Sequence, residues 1–415
     1  MDKRVQAIAD KARIEFGLEK YDLKRYSFYK KRNGKGYEMN MEWFPVEYDG
    51  PIEEDENPDG TASIDYDIQQ DRFTNVVFVM GKSYSTAHPF QEKTIEEIAS
   101  WLERQTGLTY GQDFFAEQAS EDEFQFISRV DGIRISPSFH LNVKITDDGK
   151  LLSFSTFGVA LDLSQIEKQN FNLTLEEIEP TVKAHLTLVN IPSEAEKKFV
   201  PVYAIDEVYV TADGKRCLPF LFDEQGMEVD HLMEWDEPLR GKIERKYIDL
   251  SSEATADEAF NEDTQEEIGL TDEQVGICVN IIRDALRMEY PDDSGKWRLK
   301  ELRPAYSHIV AYCYAANTDN ALFRPKIGFF IERESMTVVN LFNNEKMFDI
   351  FDSFAPAPKP LIDHDTAFEK MVPSITLDPV YVYDTESKKY ILCGLIDSEQ
   401  AVDAVTGEIL ELRDL

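Results

Sequence analysis

The sequence predicts an α+β protein built from tandem units, each a single amphipathic helix packed on a curved antiparallel sheet. Two observations carry this. Stretches with apolar residues at i, i+3 and i+4 recur along the chain, and each is followed by runs of alternating apolar and polar residues. The alternating runs are separated by turn formers, repeatedly an Asp-Gly pair. A lone helix on a few strands is marginal, so stacking or pairing of units would account for a chain of 415 residues.

Taken in order, the first unit (1–90) has the helical stretch from Val5 to Gly17, followed by the strand-like runs YSFYKK, YEMNMEWF, ASIDYDI and NVVFVMG. The second (91–165) opens with Thr94 and Glu97 at capping-box spacing, and Asp148-Gly149 marks a hairpin between two of its strands. The third (166–250) repeats the cap spacing at Thr174 and Glu177. Pro180 ends or kinks its first helical turn, Asp213-Gly214 joins its strands, and VDHLMEW adds a strand. Residues 251–267 carry many acids and few large apolar side chains, which reads as a linker or exposed loop and as the main domain boundary. A fourth unit (268–350) opens with Thr271 and Gln274. The Pro-rich hinge FAPAPKPLI leads to a fifth (361–415). The chain thus divides into an N-terminal part, 1–250, and a C-terminal part, 268–415.

Composition narrows the function. With 80 acidic against 44 basic residues the formal charge is −36, which repels nucleic-acid phosphates and anionic lipid heads and favours a basic protein or peptide surface. No apolar run reaches the length of a membrane span and the start is not a signal peptide, so a cytoplasmic location is expected, without membrane insertion. The cysteines at 217, 278, 313 and 393 form no C-x-x-C pair, and Cys278 and Cys313 read as small core residues.

No catalytic, cofactor or metal motif is found. H-E-x-x-H, G-x-S-x-G and the Walker loop are absent, and Gly34-Lys35-Gly36 precedes a strand and reads as a hairpin turn. No two of the six histidines are spaced as a chelating pair. Cys313 and His308, five residues apart on one strand, fall on opposite faces. The acids of 53–60 lack calcium-loop spacing and read as solvated loop. The first unit is crowded with aromatics. Most are core, and Tyr26, Tyr29, Tyr37 and Trp43 are the candidates for a partner-binding patch, with Arg25 and Lys30 to Arg32 at its edge.

Residues 363–412 run from the helix HDTAFEKMV through LDPVYVYD and KKYILCGLID to Val402-Asp403-Ala404-Val405-Thr406-Gly407-Glu408. This stretch resembles the PepSY domain, a small cystatin-like module of thermolysin-type propeptides. By its own chemistry the closing turn puts Asp and Thr side chains on nearby backbone and Gly407 at positive φ. Phe124-Gln125-Phe126, Asp131-Gly132-Ile133, His140 to Ile145 and Gly149 to Phe154 resemble the related YcdB/YcdC repeat of spore-forming bacteria, and residues 326–341 match it more loosely. The resemblance implies a PepSY/cystatin-like fold and control of a peptidase. The sequence leads to a non-enzymatic protein or peptide binder that uses exposed sheet edges or faces. The alternatives are an enzyme or small-ligand binder with an unrecognised site, and a self-assembling structural protein.

Overall fold

The computed structural model describes residues 2–31, 36–48, 50, 56–158, 165–167, 169–218, 226–248, 253–261, 269–305, 307–316, 321–384 and 386–414. It is an α+β structure of antiparallel sheets with few helices. Among the described residues no helix is long and apolar enough to cross a membrane. Two compact units form: 1–163 with 250–268, and 164–249 with 269–415.

In the first unit the helices Lys3–Phe16 and Ile95–Thr106 lie on one continuous sheet. Asp2 and Thr94 accept backbone N–H groups at the two helix starts, and left-handed Gly17 and Gly107 stop the helices. The strands Tyr21–Lys30, Tyr37–Pro45, Ala62–Asp67 and Arg72–Phe78 form a meander. Glu123–Val130, His140–Ile145 and Leu151–Phe157 form a second, with Phe114–Ala119 outside it. The two meanders join through their last strands, Asn75 to Val77 opposite Ser155 to Ser153. The first two expected units therefore share one sheet. They also share one core, in which Val5, Ile8 and Phe16 of one helix and Ile98, Trp101 and Leu102 of the other bury against Met41, Val76 and Phe154. Continuing the sheet satisfies backbone groups that each separate unit would leave on an open edge.

In the second unit the third and fifth expected units interlock. Each supplies a short helix, Glu179–Ala184 or His364–Met371, and then two hairpins. One sheet runs Leu186–Ser193, Lys198–Ile205, Gln400–Asp403, Ile409–Glu411. The other runs Cys217–Leu218, Val208–Thr211, Lys389–Asp397, Thr376–Asp384. Each sheet thus takes two strands from each half, and both helices bury into one core with Val182, Leu186, Phe368 and Met371. The helix Asp272–Glu289, opened by a Thr271–Gln274 capping box, covers a further sheet. Its strands run Met227–Met233, Trp297–Pro304, His308–Ala315, Lys326–Glu332, Thr337–Asn343.

Three expectations on domain organisation are corrected. The division does not fall at 250: residues 166–248 join the C-terminal residues, because their hairpins pair with strands beyond 389. VDHLMEW does form a strand, Met227–Met233, but in the sheet of the fourth expected unit. The acidic stretch 251–267 is not simply a linker. Residues 253–261 dock on the first unit as a strand and a short helix, and the remainder lies outside the described residues. Gly34-Lys35 and residues 53–55 also lie outside them.

Local chemistry is as read. Gly149 and Gly214 take φ of 79° and 71° in their hairpins. Pro180 sits in the first turn of a helix that starts only at Glu179. In the closing turn Asp403 Oδ1 accepts the N–H groups of Val405 (2.7 Å) and Thr406 (2.8 Å), Glu408 N–H donates to Thr406 Oγ1 (3.2 Å), and Gly407 has φ 72°.

Cys278, Cys313 and Cys393 are buried and Cys217 is exposed. Burial pushes the thiols of Cys278 and Cys393 up to about 11 and about 12. A thiol reagent at neutral pH should therefore modify one cysteine in the native chain and all four in denaturant. Two or more fast thiols in the native chain would contradict this core.

Candidate binding surfaces

The sequence candidates in the first unit do not come together. Tyr37 and Trp43 are core residues, 4% and 1% exposed. At alternate positions of the strand Tyr37–Pro45 they share the face of Met39 and Met41, which the helices cover, so neither can contribute to a surface patch. Tyr26 is 40% exposed and edge-on to Phe28 at 6.1 Å. Tyr29 is half-buried and pairs with Glu38.

The face of this sheet away from its helices is polar. Asn40, Asp65, Asn75, Ser155 and Asn142 are successive register partners on neighbouring strands. The side-chain amides of Asn40 and Asn75 donate to Asp65 Oδ1 (2.6 Å) and Oδ2 (2.9 Å), and Thr74 Oγ1 donates to Glu38 Oε1 (2.6 Å). Burial raises the Glu38 carboxyl above its ordinary value. The Thr74 hydrogen bond opposes this, and the charges of Asp65 and Asp67 add to it. A carboxyl held high contributes full stability below its unfolded-state pKa and loses it as pH rises through the folded-state value. Glu38→Gln, which keeps an acceptor for Thr74, should therefore raise the urea midpoint at about pH 7 and leave it nearly unchanged at about pH 3.5. An equal change at both pH values would contradict a desolvated Glu38.

The second unit carries an apolar groove of about 470 Å³. Asn190, Pro192 and Phe199 of the first hairpin line one side. Leu322 and Phe323 line another, and Phe348 to Ala357 close it. Backbone contacts fix the walls. Asn190 bridges Ala321, Phe199 N–H donates to Ala355 O (2.9 Å), and Ala355 N–H donates to Lys197 O (2.8 Å). Phe199, Phe351 and Phe354 form a ring cluster with centroids 5.2–5.9 Å apart, and Lys197 Nζ lies 5.3 Å over Phe354. Such pairs add stability beyond their buried area, which holds the three rings together as the floor. Its mouth is apolar: Leu322 and Phe323 are about half exposed, and Met347 and Ile350 on the adjacent turn of 3-10 helix are mostly exposed.

The edge of the strand Leu186–Ser193 beside the groove is not free for strand addition. A ring nitrogen of His364 lies 2.9 Å from Leu186 O, Asn190 is bridged, and Pro192 has no N–H. What remains available is the groove's side chains. The sequence reading missed this site: it took 354–362 as a hinge, although MFDIFDSF places Met347, Phe348, Ile350, Phe351 and Phe354 in one eight-residue run. The available signal was the spacing of Met347, Ile350, Phe351 and Phe354 at i, i+3, i+4 and i+7, a helix-like apolar face just before the prolines.

Among the described residues no group of three or more His, Cys, Asp or Glu is placed to hold a metal ion. His308 and Cys313 occupy different environments. The ring of His308 is bonded to the Ser307 hydroxyl at 2.8 Å, and burial pushes the fully enclosed Cys313 thiol far up. Compared with known proteins, the chain matches no family model, no curated protein and no solved structure.

Proposed function

We propose that this chain is a binding protein that takes apolar anchor side chains of another protein or peptide into the phenylalanine-lined groove of its second unit. The observation that carries the reading is an exposed apolar mouth over a floor of clustered aromatic rings. Leu322 and Phe323 remain half exposed although the ring cluster of Phe199, Phe351 and Phe354 lies beside them. Contiguous exposed apolar surface around a formed concavity marks a recognition site more often than a stability feature. The charge of −36, with Asp352 in the groove wall, favours a partner with basic residues beside its anchors and disfavours nucleic acid. The groove volume also suits a small apolar ligand, which is the second reading.

The likeness of residues 363–412 to PepSY modules makes a peptidase one candidate partner. The tandem-unit origin belongs to the same proposal, and the matching helix-and-two-hairpin halves of the second unit support it.

The test is selection of displayed peptides against the full chain, followed by measurement of each selected peptide against Leu322→Asp and Phe323→Asp. A charge buried in the mouth should weaken binding at least tenfold, about 1.4 kcal/mol. Peptides that bind both variants as well as the parent would overturn the groove as the site.

A further inference from the structure

The acidic stretch docked on the first unit behaves as a bound peptide. Glu253 and Ala254 pair antiparallel with Tyr29 and Phe28 at the edge of the strand Tyr21–Lys30. Thr255 and Glu258 form a capping box that starts the helix Ala256–Ala259. Phe260 then lays its ring edge-on to Phe28 at 5.7 Å, and the guanidinium of Arg4 sits 4.6 Å over the Phe260 ring. Arg4 Nη2 also donates to Asp257 Oδ1 at 2.8 Å. Ala259 is fully buried, and Gln69 Nε2 donates to its carbonyl at 3.4 Å.

These contacts have the form of peptide recognition: backbone pairing at a sheet edge, one aromatic anchor and matching charge. The segment contributes one large apolar side chain, Phe260, so its shape comes from the seat and not from a core of its own. Two cations of the seat meet the acids of the segment, and one of them, Arg4, is shared with Asp2 at its own helix start. Arg4 opens the helix Lys3–Phe16, Lys30 ends the edge strand, and Asp257 and Glu258 face them.

We propose that the edge formed by the strand Tyr21–Lys30 and the start of the helix Lys3–Phe16 is a docking site for acidic protein segments that carry an aromatic anchor, with residues 253–261 as its internal occupant. A tethered occupant acts at an effective concentration of about millimolar for a short connection, so it excludes weaker segments from other proteins. An external partner gains the site when the internal segment leaves. This site is independent of the groove in the second unit.

The experiment uses the full chain with residues 253–261 replaced by nine Gly and Ser residues. The probe is a fluorescent peptide, EATADEAFN, with a scrambled peptide as control. The replaced chain should bind the probe saturably, at least tenfold tighter than the parent does. Binding should weaken with salt and be lost when Arg4→Glu is added. In the parent, deuterium exchange of the amides of 254–260 should be at least 100-fold faster than that of Met39 to Trp43. A folded replaced chain that ignores the probe would overturn the proposal. So would a replaced chain that fails to fold, or a segment that exchanges as slowly as the central strands, since either makes the segment an integral part of the fold.

Discussion

Trp101→Ala should lower the stability of the first unit by about 3–5 kcal/mol, among the largest losses expected for any truncation in this chain. The indole is 3% exposed and stands between Phe90, at 5.6 Å, and Phe154, at 5.1 Å and 89°. Phe154 lies on the strand that joins the two meanders, opposite Val76. The substitution removes a large apolar area, leaves a cavity that rigid strands cannot close, and breaks both edge-on ring pairs. The second helix should loosen with it, because Trp101 is its largest buried side chain. Urea unfolding followed by circular dichroism measures this. A shift equivalent to less than about 1 kcal/mol would mean that helix and sheet are not packed as described.

Gly149→Ala should be comparably damaging, at about 3 kcal/mol or more, for a different reason. Gly149 has φ +79°, which costs an L-residue about 1–2 kcal/mol. A β-carbon there would lie 1.8 Å from the Phe90 carbonyl oxygen and 2.9 Å from its carbon. The two backbones also touch through Phe90 N–H donating to Gly149 O at 3.2 Å, so neither can retreat without breaking the contact. Gly132 provides the control. Its φ is +82°, yet a β-carbon there meets nothing within 4 Å. Gly132→Ala should therefore show only the backbone penalty, about 1–2 kcal/mol. Equal midpoints for the two variants would contradict the close approach of the chain at Phe90.

What the sequence disclosed follows the range of the interactions. Thr94, Thr271, Asp148-Gly149 and the Asp403–Gly407 turn were readable because each is settled by bonds within a few residues. The pairing of Lys198–Ile205 with Gln400–Asp403 was not readable, since any alternating strand offers the same backbone groups to any edge. Residues 253–261 misled because strand addition at an edge needs backbone and one anchor, not the apolar density by which buried segments are recognised. Tyr37 and Trp43 show the complementary limit. Aromatic crowding reports burial and recognition alike, and only the register, which places them with Met39 and Met41, assigned them to the core.

The groove reading is tested most directly by placing a photoreactive benzophenone amino acid at position 322, beside the groove, and comparing it with the same residue at position 14, on an exposed helix face of the first unit. Irradiation with a selected peptide should give one discrete adduct from position 322 that an excess of unlabelled peptide removes, and none from position 14. Equal adducts at both positions, or an adduct at 322 that competitor leaves unchanged, would contradict a binding function for the groove.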